Sequence, residues 1–326
     1  MHAPSTSLAP APRFALQRPD EPLDEPPCPV CGAHEPELVL RARDRLFGRP
    51  GEYGVVRCSS CSTRYLWPRP TLDALGAHYP DDYFVYLTPD KMNPMMRPLM
   101  AWLGRRRWLA YIKRFERALG RFDPGCQVVD VGCGQNHFLA TLRDVRGVQG
   151  IGVDFKPEMA AFVRDSLGMP VVAGTLQDAK FPDAEFDVVT MSEYLEHEPD
   201  PRGVLTEARR ITKPGGHVAI EIPFVESVPA RLFGSRWSQI DAPRHLNYFT
   251  RDTLALLLQK TGYRLVHTQT FQVPFNLGMS VLQAFGATRI GRLGLLESGL
   301  AVLSSLPFLL AYPWMDEFMF AVARAE

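Results

Sequence analysis

Between about residues 125 and 270 the chain alternates short apolar runs with windows of helical periodicity, and no other sequence feature constrains the fold as tightly. Residues 127–131, 149–154, 170–173, 186–190 and 217–222 are mostly apolar on both alternating faces. Runs of that length separated by helices predict a mostly parallel sheet covered on both sides. Residues 250–260 read as a further helix, with Thr250 as its N-cap and Gly262 just past its end. Residues 263–269 read as a strand. A length of 326 residues leaves room for one smaller module beside that core.

The cysteines define that module. Four of the six fall in two pairs, Cys28-Pro-Val-Cys31 and Cys58-Ser-Ser-Cys61, a C-x2-C spacing repeated after 26 residues. Each pair presents two thiolates, and two such knuckles close a tetrahedral shell around one Zn2+. Four thiolates leave no open position, so the expected zinc is structural. Cys126 and Cys133 are expected as free thiols in a reducing, cytoplasmic setting. Eight prolines within the first thirty residues, without apolar periodicity, predict a disordered leader and no secretory signal. The expected organisation is a leader over residues 1–25, a zinc ribbon over 26–70, a basic linking region over 71–122, and the α/β domain over 123–326.

Basic and acidic side chains number 36 each. Such neutrality argues against a protein acting through bulk attraction to nucleic acid. The balance is nevertheless an average, because residues 91–121 carry nine cations against Glu116 alone. Trp108, Ile112, Phe115 and Leu119 recur there at helical spacing, which predicts an amphipathic helix with a basic face. A solvated helix packed on the next domain is the plainer expectation. The sharper one is peripheral contact with an anionic membrane surface or an acidic substrate. Nothing in the sequence fixes an oligomeric state.

The first strand of the α/β region ends in Asp130-Val-Gly132-Cys133-Gly134-Gln-Asn136-His137, and Asp154 closes the second strand twenty residues after Gly134. Glycines at a strand-to-helix turn let the backbone approach a ligand and aim amides at it. An acidic residue at the next strand end suits a ribose diol. The pair fits any adenosine-containing cofactor. Dinucleotide binding is disfavoured by His137, which stands where G-x-G-x-x-G requires a third small residue. A P-loop is absent.

Five blocks in order carry a family resemblance. They are Asp130-x-Gly132-x-Gly134, Gly150-Ile-Gly-Val-Asp154, Phe181-Pro-Asp-Ala-Glu-Phe-Asp187, Tyr194-Leu-Glu196-His197-Glu-Pro-Asp-Pro201 and Lys213-Pro-Gly-Gly216. Together they resemble class I S-adenosylmethionine-dependent methyltransferases over about residues 125–225. A sixth block, Trp237-x3-Asp241-Ala-Pro243-Arg244-His245-Leu246, resembles one branch of that superfamily whose members often carry an N-terminal four-cysteine zinc ribbon. The branch also accommodates the tyrosines at 79, 83 and 86. The resemblance implies a Rossmann-like seven-stranded sheet, mostly parallel with an antiparallel last strand. One departure is Asn136, where the family's D-x-G-x-G-x-G has its third glycine. Asparagine tolerates the left-handed backbone, but its side chain is expected to project toward the cofactor.

By the resemblance, Asp130 and the amides of Gly132, Cys133 and Gly134 hold the methionine end of S-adenosylmethionine, and Asp154 takes its ribose hydroxyls. Phe155, Thr175, Leu176 and Gln177 border the adenine. Asp178 is either a polar contact there or an ordinary turn acid. Methyl transfer from a sulfonium needs alignment and, for a hydroxyl acceptor, removal of a proton. Histidine suits that task near neutrality, which makes His245 the first candidate base, His197 the second and His137 a third. Tyr194, Asp241 and Arg244 are candidate substrate contacts, Arg244 as a clamp on an anion or as a loop tether. The acceptor is expected to be a small molecule offering a hydroxyl; the alternatives are an N- or C-methyltransferase, or a catalytically inactive methyltransferase-like zinc-ribbon binding protein, the reading that Asn136 favours. An apolar or lipid-like acceptor is suggested by the stretch at 293–312, whose only charge is Glu297. That stretch is expected as part of a helical lid over about 273–312 rather than a membrane span.

Overall fold

The computed structural model describes residues 20–80, 94–95, 97–286, 303 and 315–326. The N-terminal part contains β1 (Leu23–Asp24), β2 (Pro36–Ala42), β3 (Tyr53–Cys58), β4 (Arg64–Trp67), β5 (Arg69–Pro70), the short helix α1 (Leu72–Leu75) and the long helix α2 (Arg97–Leu119). The α/β core follows as β6 (Val128–Val131), α3 (His137–Arg146), β7 (Gly150–Asp154), α4 (Pro157–Leu167), β8 (Val171–Ala173), β9 (Phe186–Ser192), α5 (Pro201–Ile211) and β10 (Thr212–Pro223). Then come α6 (Val228–Phe233), β11 (Asn247–Tyr248), α7 (Arg251–Lys260), β12 (Tyr263–Phe271), α8 (Pro274–Ala284) and β13 (Phe318–Ala325).

The core sheet has seven strands in the order β12-β13-β10-β9-β6-β7-β8. Strands β10 through β8 run parallel, and β13 is antiparallel to both of its neighbours. Alternation along each strand sends side chains to opposite faces. Val129, Val189 and Ile220 pack with α5 and α7 through Leu205, Ala208, Leu254 and Leu258. Val128, Val188 and Ala219 face the other way, toward Tyr111, Phe115, Phe138 and Leu142 of α2 and α3. Helix α7 begins as expected, with the Thr250 hydroxyl accepting from the Thr253 amide at 3.1 Å.

Two expectations need correction. The cysteine-bearing sheet is not self-contained, because β11, from the block around Arg244 and His245, supplies its fourth strand. The order is β11-β4-β3-β2, with Asn247 opposite Tyr65 and Tyr248 opposite Arg64. The leader also ends before residue 25, since β1 pairs with β5 and Glu21 bonds the Tyr53 hydroxyl and the buried His78 ring. Residues 1–19 lie outside the described residues.

The basic segment is half structural. Tyr111, Ile112 and Phe115 of α2 are buried. Arg107 and Arg114 turn inward to the carboxylate of Glu221 at 2.9 and 2.8 Å, and Arg146 reaches Glu116 at 2.6 Å. Glu221 is fully buried, so without those guanidiniums its charge would stand uncompensated in the sheet. Arg105, Arg106, Lys113 and Arg117 stay exposed. Of the expected lid, α8 is present. The apolar stretch at 293–312 lies outside the described residues except at 303, as do Tyr83 and Tyr86. Among the described residues no helix is long and apolar enough to cross a membrane.

Candidate active site

The glycine turn sits between β6 and α3, at the carboxyl end of the sheet where open α/β folds bind ligands. Gly132 has φ +71°, and a Cβ there would lie 2.4 Å from the Tyr194 ring, so only glycine lets that ring close over the turn. The Asp154 carboxylate accepts from the Gly134 amide at 2.8 Å and from the Lys156 amide at 2.9 Å. Asp130 is buried, takes the Thr190 hydroxyl at 2.6 Å, and is pushed up to about 7 by burial, with the charge of Asp154 adding to the effect. Burial likewise raises Asp154. The Gly132 and Cys133 amides donate to the Val153 carbonyl at 2.8 and 3.1 Å, so the turn is held against β7 with the two carboxylates beside it, and these fit the amino and ribose groups of S-adenosylmethionine.

Asn136 takes the left-handed conformation at φ 54° and is fully buried, so the turn survives without its third glycine. Its side chain does not project toward the ligand side as expected. It folds back over β7, where a Cβ on Gly152 would lie 3.2 Å from Asn136 Nδ2, and neither amide atom has a hydrogen-bond partner.

Leu176 is buried, while Phe155 is half exposed with its ring edge-on to Tyr79. Thr175 and Asp178 close a local turn, the Asp178 carboxylate accepting the Thr175 amide and hydroxyl at 3.0 and 2.7 Å. Asp178 is therefore occupied as a turn acid, and Gln177 is exposed beside it. Tyr194 donates its hydroxyl to Glu198 at 2.6 Å.

The two candidate bases come together. The His197 and His245 rings stand edge to face with centroids 4.5 Å apart. His245 Nδ1 lies 2.8 Å from the Gln239 carbonyl, and His197 Nδ1 lies 3.0 Å from the Arg244 carbonyl. A carbonyl only accepts, so each Nδ1 carries the proton and each Nε2 keeps its lone pair. Burial, followed by the charge of His245, holds His197 down to about 3, and burial lowers His245 as well. Both rings are thus neutral near pH 7. The chain is stitched to hold them there, with the amides of Leu246 and Asn247 both donating to the Glu196 carbonyl at 2.7 and 3.0 Å. His137 is apart from this pair, on α3, against Gln135.

Arg244 is not free to clamp a substrate. It is completely buried, holds both Asp241 oxygens (2.6 and 3.0 Å), and reaches Asp44 at 2.9 Å. Asp241 is correspondingly committed and kept ionised by that guanidinium. Three residues outside the expected site belong to it. Tyr79 places its hydroxyl 3.0 Å from His197 Nδ1, Glu196 is buried with neither carboxylate oxygen partnered, and Asp44 anchors Arg244. One Glu196 oxygen and one ring nitrogen from each histidine lie within 4.8 Å of one another. Glu196 could have been singled out as the acid beside His197. Asp44, between two arginines, carried no signal.

Far from this cluster in sequence, Cys28, Cys31, Cys58 and Cys61 bring their sulfurs within 4.8 Å of one another, two pairs at 3.5 Å. Ligands 2.3 Å from a tetrahedral zinc are separated by about 3.8 Å, so the four sulfurs fit one such ion.

The family model for the methyltransferase domain matches residues 102–268, just over half of the chain. The chain belongs to the methyltransferase-domain family. Among curated methyltransferases it is similar to a malonyl-[acyl-carrier protein] O-methyltransferase of Serratia marcescens, at 30% identity over 40% of this chain and 51% of that protein. It is also similar to a ubiquinone biosynthesis O-methyltransferase of Vibrio atlanticus, at 37% identity over 32% of this chain and 45% of that protein. The chain thus spans about half the length of these relatives. In fold it is similar to geranyl diphosphate C-methyltransferase from Streptomyces coelicolor, with TM-score 0.51 at 16% identity, covering 74% of this chain and 87% of that one.

Proposed function

We propose that this chain is an S-adenosylmethionine-dependent methyltransferase that methylates a hydroxyl oxygen of a small molecule. The observation that carries the oxygen assignment is the neutral His197–His245 pair, each ring tethered through Nδ1 and open at Nε2. Asp154, fixed in place by the Gly134 amide, would hold the ribose of the cofactor, with Asp130 at its amino end. Bound there, S-adenosylmethionine supplies an electrophilic methyl group on a sulfonium. Tyr194, closed over Gly132, limits water on the ligand side. His245 takes the acceptor's proton on Nε2 as the oxygen is alkylated, and the charge of Asp241 steadies the resulting imidazolium. The four-cysteine set is proposed to hold a structural zinc.

A screen of cofactor consumption over phenols, carboxylates and amines tests this reading. A phenolic or alcoholic acceptor is expected, with His245→Ala slowing turnover about 100-fold or more while S-adenosylhomocysteine affinity holds. Turnover confined to amines, or untouched by His245→Ala, would refute the oxygen assignment.

A further inference from the structure

A carboxylate taken out of water is costly unless something inside the protein meets its charge. Glu196 is 1% exposed, and neither of its carboxylate oxygens has a hydrogen-bond partner. Arg107, whose charge bears on it, is already held by Glu193 and Glu221 at 2.5 and 2.9 Å. The Glu196 carbonyl, by contrast, accepts the amides of both Leu246 and Asn247. The residue is thus fixed by its backbone while its side chain stays unsatisfied.

That carboxylate meets the histidine pair. One Glu196 oxygen and one nitrogen of each ring lie within 4.8 Å of one another. Main-chain carbonyls orient the rings through Nδ1, Arg244 holding His197 at 3.0 Å and Gln239 holding His245 at 2.8 Å. An imidazole that gives its Nδ1–H to a carbonyl presents Nε2 as a fixed lone pair, which is how metal-bound histidines are commonly supported. Ligands about 2.0–2.1 Å from a tetrahedral ion stand about 3.4 Å apart, so the set closes with a movement of at most about 1.4 Å. Two imidazoles and one carboxylate favour Zn2+, Co2+ or Ni2+ over Mg2+ and Ca2+, which prefer oxygen shells. Three protein ligands leave one coordination position open, unlike the closed four-cysteine set.

We infer that Glu196, His197 and His245 form a metal site separate from the cysteines, one that takes a divalent transition-metal ion and thereby inhibits methyl transfer. The ion supplies the positive charge that Glu196 lacks. It also occupies the His245 lone pair on which removal of the acceptor's proton depends, so metal binding and proton removal are alternatives at one nitrogen. The inhibitory role rests on the methyl-transfer reading; the site itself rests on the geometry of three side chains.

Co2+ is the probe, added to the full chain carrying one equivalent of zinc, with calorimetry and visible absorption as readouts. One equivalent should bind saturably at micromolar concentration. It should give ligand-field bands without the near-ultraviolet charge-transfer band of cobalt on thiolates. Glu196→Gln and His245→Ala should each weaken binding at least about tenfold, since even an outer-sphere partner is worth that much. His137→Ala, at a histidine apart from the pair, should leave it unchanged, and melting temperature and S-adenosylhomocysteine affinity report that the variants are folded. No saturation by about 1 mM, equal binding by both ligand variants, or a spectrum of thiolate type alone overturns the site. Turnover of a hydroxyl acceptor should fall in step with Co2+ occupancy, and full occupancy with undiminished turnover overturns the inhibitory role. Co2+ binding by a protein that binds no S-adenosylhomocysteine supports the site and removes the methyl-transfer reading instead.

Discussion

Replacing Arg244 by Met removes the cation from a triad with no solvent. Arg244 and Asp44 have fully buried side chains, and Asp241 is 11% exposed. The three bonds run at 2.6, 3.0 and 2.9 Å. Deleting one member of such a set strands two carboxylates and costs about 3–5 kcal/mol. At about 2–4 °C per kcal/mol for a domain of this size, melting should fall by roughly 6–20 °C. Asp44→Asn supplies the internal scale. Its remaining oxygen still accepts the Leu46 and Phe47 amides, at 3.1 and 3.0 Å, and Arg244 keeps Asp241. The cost there should be nearer one charge-assisted bond, about 1.5–3 kcal/mol. Urea unfolding followed by tryptophan fluorescence reports both variants, since Trp237 belongs to the same core cluster as Leu246 and Tyr248. If Arg244→Met costs under about 1 kcal/mol, the value of an exposed ion pair, the triad does not hold the site together and the reasoning fails.

Three other outcomes are expected. Chelation should release one zinc per chain, measured by elemental analysis, and Cys58→Ser should abolish its binding and unfold the sheet that includes β11; zinc-free wild-type protein of unchanged stability would contradict the assignment. Asn136→Gly should leave S-adenosylhomocysteine affinity within about twofold, because the side chain faces β7 and not the ligand; a larger change by calorimetry would place the amide on the ligand side. Finally, His197 titrates near 6.5 unfolded and at about 3 folded, so below pH 6.5 the unfolded chain binds the extra proton and stability falls with pH. The slope should approach about 1.4 kcal/mol per pH unit per buried histidine between pH 6.5 and 5, and urea midpoints that are flat across that window would argue against neutral, buried rings.

What was legible in the sequence is what local chemistry dictates. The five apolar runs, the Gly132–Gly134 turn, Asp154 and the two cysteine pairs each follow from residue type at short spacing; the runs are strands of the core sheet and the four sulfurs come together. What was not legible depends on contacts distant in sequence. Nothing near Asn247 announces a strand, because its partner is Tyr65. The cations of α2 read as a solvated face, since the buried Glu221 that claims Arg107 and Arg114 lies about a hundred residues later. Arg244 as a free clamp and Arg244 as a tether have the same local sequence, and only Asp44 decides between them. The direction of the Asn136 side chain likewise depends on the space above Gly152.

The position of β11 changes how the cysteine module bears on catalysis. Leu246 and Asn247 give their amides to the Glu196 carbonyl, fixing the spacing between His197 and His245. The Leu246 carbonyl accepts the Leu66 amide at 2.9 Å, and the next two residues pair with β4. Three consecutive residues therefore join the loop that carries His245 to the cysteine sheet through main-chain bonds, with no flexible side chain between them. Tyr79 and Asp44 extend the same connection, one to His197 and the other to Arg244. A metal that orders β3 and the turn before β4 also orders the edge on which His245 is mounted. On the proposed roles, a zinc held by the four cysteines would have no chemical part in methyl transfer, yet the placement of His245 would depend on it.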